Sequence, residues 1–106
     1  MPAVTAITAV TGVASSGLRA AQLRMDTAAH NTANLNTPGF QRQTVTTEAV
    51  DGQGGVAARI GRAAQPGVSM EAEAVEQIAA TYAFKASLQV LRTDDRMKGA
   101  LLDERA

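Results

Sequence analysis

Hydrophobic and small residues recur at helical spacing in two long stretches of this chain, one at each end, and lose that spacing between them. From about Ala3 to Asn34, the residues Ala14, Leu18, Ala21, Met25, Ala28 and Thr32 follow alternating steps of four and three. That is the seam spacing of a heptad helix. The seam is thin, and Gly12 and Gly17 weaken its early part by about 1 kcal/mol each relative to Ala in a helix interior. A second helix is predicted from about Glu71 to Asp103. Here Thr81, Phe84, Leu88, Leu91 and Leu102 share one seven-residue register, with Asp95 and Lys98 in its polar places. Val75, Ile78 and Tyr82 lie beside that register, and Val90, Met97 and Leu101 lie on another flank. Apolar residues on several flanks suit a helix with several helical neighbours. Glu71, Glu73 and Glu76 in the first turns, with Lys98 and Arg105 near the end, complement the helix dipole.

Between the helices the periodicity changes. Thr44-Val45-Thr46-Thr47 and Val56-Ala57-Ala58-Arg59-Ile60 read as short extended segments around the turn Asp51-Gly52-Gln53-Gly54-Gly55, and Gln65-Pro66-Gly67 closes the region. A small β-hairpin or an irregular linker is expected over 41–69. The first helix ends abruptly at Asn31-Thr32-Ala33-Asn34-Leu35-Asn36-Thr37-Pro38-Gly39-Phe40. Asn tolerates the left-handed conformation that ends helices, Pro38 turns Thr37 away from the α region, and Gly39 accepts positive φ. Phe40 follows as a lone aromatic anchor. The amides of Asn31, Asn34 and Asn36 are suited to capping backbone groups there. The chain therefore divides into 1–40, 41–69 and 70–106.

Composition limits what such helices can bury. Alanine supplies 22 of the 106 residues, and only 3% are aromatic. A fully buried Leu or Val returns about 1.5–3 kcal/mol and a methyl far less, whereas ordering one residue's backbone costs roughly 1–2 kcal/mol. A lone two-helix hairpin of this composition is marginal, so its apolar stripes call for neighbouring chains. Net charge is zero, and no basic block marks a nucleic-acid partner. No apolar run is long enough to span a membrane. The small, Thr-rich start has no Lys or Arg ahead of its apolar part, so a cleaved secretory leader is not expected. With no Cys, disulfides and thiol chemistry are excluded.

Candidate chemistry is sparse. His30 is the single His and reads as a solvent-facing or capping residue. Asp94 and Asp95 point about 100 degrees apart on a helix. With Arg92, Arg96 and Lys98 beside them they read as a solvated charged face. The Gly52–Gly55 run lacks the Lys and Ser or Thr of a phosphate loop, and Ser15, Ser16, Ser69 and Ser87 have no nucleophile context. Tyr82 and Phe84 lack interleaved basic residues and read as core or interface. No catalytic, cofactor-binding or metal-binding residues are predicted, and the chain is expected not to be an enzyme.

Two segments resemble the paired terminal signatures of the bacterial flagellar rod and hook family. Ser16-Gly17-Leu18 opens the first, and Ala33-Asn34-Leu35-Asn36-Thr37-Pro38-Gly39-Phe40 closes it. The second runs from Glu71 through Phe84-Lys85-Ala86-Ser87 to Thr93-Asp94-Asp95-Arg96-Met97 and on to Leu102. The family usually has Tyr and Asn where this chain has Phe84 and Ser87, and the middle is short, so the likeness is greatest to a proximal rod subunit. The resemblance implies an all-α fold, with long N- and C-terminal helices antiparallel and coiled-coil-like around a short hairpin or irregular segment. It implies a structural subunit of the basal-body rod, exported by the flagellar type III apparatus without cleavage. Copies of itself and other axial proteins would join it in a periplasmic helical tube. It further implies motif or turn roles for Asn31, Ala33, Asn34, Asn36, Thr37, Pro38, Gly39 and Phe40. Seam or assembly roles fall to Leu18, Ala21, Met25, Ala28, Ile78, Phe84, Leu88, Leu91 and Met97. A different reading, a helical-hairpin binding module, would instead form a discrete dimer or tetramer around a groove.

Overall fold

The computed structural model describes residues 2–52 and 54–105. The expected turn residue Gln53 lies outside them, as does the side chain of Arg105. Helix α1 spans Pro2–Ala33 and helix α2 spans Met70–Arg105, and two strands, β1 (Gln43–Ala49) and β2 (Val56–Arg62), lie between them in sequence. Gly12 and Gly17 leave α1 unbroken.

The helix ends follow local chemistry. At the C-terminus of α1, the Asn34 backbone N–H reaches the carbonyls of His30 and Asn31, and its side-chain amide donates to His30 O at 2.9 Å. The Thr37 hydroxyl then donates to Asn34 Oδ1 at 3.1 Å. The tolerance of Asn for the left-handed region is not used: among the described residues positive φ belongs to glycine alone, with Gly39 at 71° in this turn. Ser69 caps α2. Its carbonyl accepts the first helical hydrogen bond from Glu73 N, and its hydroxyl oxygen accepts from Ala72 N at 3.3 Å.

The middle segment is a true sheet, which corrects the all-α expectation to a mostly helical fold with one antiparallel hairpin. β1 and β2 pair from Gln43 with Arg62 to Ala49 with Val56, and Val50 N donates to Gly55 O at 3.0 Å across the turn. The β-branched residues Thr44–Thr47, Val56 and Ile60 favour this extended form. An isolated two-stranded hairpin is marginal in water. This one lies along α1, with its base at Asn31 and its tip at Val13 and Ser16. Val56 N donates to Ser16 Oγ at 3.0 Å, and a Cβ at Gly55 would sit 2.6 Å from the same oxygen. The glycine turn is therefore what lets the hairpin approach the helix.

Contacts between Asn31 and Glu73, Arg24 and Glu76, Gly17 and Ser87, and Thr11 and Asp94 run in opposite directions along the helices, which makes α1 and α2 antiparallel. The molecule is a rod-like body of 63 × 24 × 13 Å. Its radius of gyration is 17.9 Å, against about 13 Å for a compact chain of 100 residues.

The α1 seam follows the predicted register, with Ala14, Ala21 and Ala28 buried and Leu18 and Met25 half-buried. Its last member differs: Asn31 is buried, whereas Thr32 is exposed and turns its hydroxyl to Ala28 O. On α2 the predicted line keeps Phe84, Leu88 and Leu91 half-buried, but Thr81, Asp95 and Leu102 are exposed. The buried line is one residue earlier, through Glu73, Ala80, Ser87 and Asp94. Close approach is the reason. A Cβ on Gly17 would lie 2.6 Å from Ser87 Oγ, so only small side chains fit where the helices are nearest.

Among the described residues, the buried hydrophobic side chains are all alanine: Ala14, Ala20, Ala21, Ala28 and Ala80. Large apolar residues face outward instead, with Ile78 at 58%, Tyr82 at 69% and Met97 at 54% exposure.

Glycine substitutions should separate close packing from helix propensity. Gly99→Ala, where nothing lies within 4 Å of the new Cβ, should stabilise the chain by up to about 1 kcal/mol. Gly17→Leu should cost roughly 1–3 kcal/mol through overpacking against Ser87. Thermal unfolding followed by circular dichroism reads both, and equal melting shifts for the two variants would contradict the close approach at Gly17.

Candidate functional site

The most highly constructed part of the molecule is a polar clasp where the end of α1, the base of the hairpin and the start of α2 converge. Asn31 is 1% exposed and treats Gln43 as a strand would: its Nδ2 donates to Gln43 O at 2.9 Å, and its Oδ1 accepts from Gln43 N at 2.7 Å. The same Nδ2 donates to Glu73 Oε1 at 3.1 Å. Arg42 Nε donates to that oxygen at 2.7 Å, across an ion pair in which Glu73 is 1% and Arg42 33% exposed. Glu73 Oε2 is buried without a hydrogen-bond partner. One turn outward, Arg24 Nε meets Glu76 Oε1 at 2.6 Å. These groups line a cleft of about 180 Å³, together with Thr27, Thr44 and Val45.

A second polar pin closes the helix pair toward its other end. The Thr11 hydroxyl donates to Asp94 Oδ2, and Lys98 Nζ lies 3.5 Å from the same carboxylate and 3.2 Å from Thr11 Oγ1. Asp94 is 3% exposed, which corrects its reading as part of a solvated face. Asp95 remains exposed. Burying a carboxylate is costly unless it is paired and hydrogen-bonded, so these pins fix the register of the two helices more than they add stability.

The turn motif divides in its roles. Asn34 caps the helix, Ala33, Asn36, Thr37, Pro38 and Gly39 lie exposed, and Phe40 is half-buried with its ring 5.7 Å from that of exposed His30. Phe40 O accepts from Gly67 N at 2.9 Å, so the motif is stitched to the segment that enters α2. Asn31 is not a cap but the hub of the clasp. Sequence reasoning missed Glu73, Arg42, Gln43 and Arg24. A signal was available in the seven-residue spacing of Glu73, Ala80, Ser87 and Asp94, but polar residues at its ends hid it from a search for apolar periodicity.

Glu71 is exposed, and its carboxyl is held below the usual carboxylate range. The cause is first a backbone N–H at the helix start and then the Ser69 hydroxyl, which donates at 3.1 Å. Among the described residues, no group of three or more His, Cys, Asp or Glu could hold a metal ion, and no helix is long and apolar enough to cross a membrane.

This geometry defines a structural element, a clasped helical hairpin with outward apolar faces. Residues 12–41, from Gly12 in α1 through the turn to Gln41, match the family model described as Flagella basal body rod protein. Over that segment the chain is similar to the flagellar rod family, which is structural rather than enzymatic. No curated protein matches the chain. The match supports a structural role in the flagellar basal-body rod.

Two substitutions test the clasp and the cap. Asn31→Ala strands both backbone groups of Gln43 and removes one donor from Glu73 Oε1, and should cost about 2–3 kcal/mol in chemical denaturation. A loss under 0.5 kcal/mol, on the order of an ordinary surface change, would contradict the clasp. Glu71 has a depressed folded pKa, so its contribution is present above its unfolded pKa and is lost as pH falls through the folded value. Glu71→Gln should therefore lower the melting temperature slightly at pH 7 and leave it unchanged at about pH 2, below the carboxylate range.

Proposed function

We propose that this chain is a structural subunit of the bacterial flagellar basal-body rod that assembles through its paired terminal helices into an axial helical tube. The observation that carries this reading is the inverted burial: alanines fill the contact between the helices, while Val75, Ile78, Tyr82, Val90, Met97, Leu101 and Leu102 face solvent. A stable solitary protein places such side chains in its core, whereas a subunit leaves them for its neighbours. The family match on residues 12–41 supports the flagellar rod as that assembly. Repetition of one heterologous contact along a lattice that does not close builds a tube. In this reading the partners are further copies, other axial proteins and the flagellar export apparatus. In this reading the rod lies in the periplasm.

The exposed end of α2 gives a test that leaves the fold intact. In a flagellated cell lacking its own copy, the wild-type chain should restore basal bodies and swimming. Leu101→Asp combined with Leu102→Asp should restore neither, although circular dichroism of the purified variant stays unchanged. Swimming and complete basal bodies with that variant would contradict the proposal.

A further inference from the structure

Two different periods are written on α2. The line facing α1 repeats every seven residues through Glu73, Ala80, Ser87 and Asp94, whereas an exposed line repeats every eleven. Val75, Ala86 and Met97 form one set of the exposed line, and Ala79, Val90 and Leu101 form another. A seven-residue line drifts one way around a straight helix and an eleven-residue line drifts the other. The exposed stripe therefore starts on the side of α2 away from α1, as a ridge of Val75, Ile78 and Tyr82. It climbs into the notch between the helices, where Ala6, Val10, Ala86, Val90 and Met97 line an open groove of about 500 Å³. The ridge lies in the acidic half of the helix, which carries Glu71, Glu73 and Glu76 and no basic residue before Lys85. The groove lies in the half that carries Lys85, Arg92, Arg96, Lys98 and Arg105 against Asp94, Asp95, Asp103 and Glu104. Glu71 and Lys85 are exposed.

We propose that the ridge of one copy seats in the groove of the next, with the two copies parallel and displaced along α2. From the middle of Val75–Tyr82 to the middle of Ala86–Met97 is about 13 residues, or an axial step of about 20 Å at 1.5 Å per residue. Tyr82 and Ile78 fill the apolar notch between Val10 and Val90, and exposed Glu71 on one copy comes level with exposed Lys85 on the other. An apolar centre with a charged rim of opposite sign is the usual anatomy of a specific contact. The ridge and the groove are different surfaces, so each copy keeps one free after joining the other, and the contact propagates. This inference rests on the rod reading and names the surfaces by which successive subunits join.

The chain has no Cys, so introduced thiols report only the intended pair. Ile78→Cys mixed with Val90→Cys should give a disulfide dimer under mild oxidation, while each single variant alone stays unlinked. The double variant Ile78→Cys/Val90→Cys should give a ladder of dimers, trimers and longer species. Self-linking of Ala86→Cys, with the double variant stopping at dimers, would overturn the proposal in favour of a two-fold antiparallel pair and would count against the rod reading as well. Open polymers seen by light scattering without any bridge between 78 and 90 would overturn the contact while leaving the rod reading intact. Absence of both polymers and bridges would also overturn it, and motility complementation would then decide the rod reading separately.

Discussion

Close contact between two helices faced with alanine and glycine is the constraint from which the rest of this structure follows. Such faces let the backbones approach closely, as at Gly17 and Ser87, but each methyl returns only about 0.8 kcal/mol on burial. The contact is thus geometrically demanding and energetically thin. It leaves no room for large apolar side chains at its closest points, so Leu18, Leu88 and Leu91 are only half-buried and Ile78, Tyr82 and Leu102 lie exposed. A rod-like molecule with a small-residue interior and an apolar exterior is the direct result.

A thin apolar seam does not by itself choose a register, because alanine faces slide past one another with little change in buried area. The buried carboxylates supply the choice. Glu73 finds Asn31 and Arg42 in one alignment, and Asp94 finds Thr11 and Lys98 in the same one. A shift along the seam would leave both charges buried without partners, at several kcal/mol each. The hairpin belongs to the same arrangement: its base is held by Asn31 through Gln43 and its tip by Ser16, so the clasp ties all four elements to one geometry. For a subunit that must present identical surfaces in every copy, a fixed register matters more than high stability.

The long elements were legible because their signals are local. The Asn-rich stop with Thr37-Pro38-Gly39 ended α1, the glutamate run opened α2, and β-branched residues around glycines marked the strands. The α1 seam was legible because its small residues coincide with its apolar ones. On α2 they do not: the leucines lie one residue away from the line that meets α1, and steric fit between Gly17 and Ser87 decided what hydrophobicity could not. The clasp was illegible for a related reason. Asn31 looks like a cap and Glu73 like a dipole partner when each is read within its own helix, and only the fold brings them together with Arg42. Asp94 likewise looks solvated until Thr11, far away in sequence, is placed beside it.

The central claim, that the outward apolar faces are covered by neighbouring subunits, is tested most directly by hydroxyl-radical footprinting of the isolated chain and of assembled rods. In the dilute chain, Tyr82 and Met97 should be modified rapidly and half-buried Met25 more slowly. In rods, Tyr82 and Met97 should become protected, while exposed His30 on the opposite helix remains the internal reference. Equal modification of Tyr82 and Met97 in both states would contradict the account.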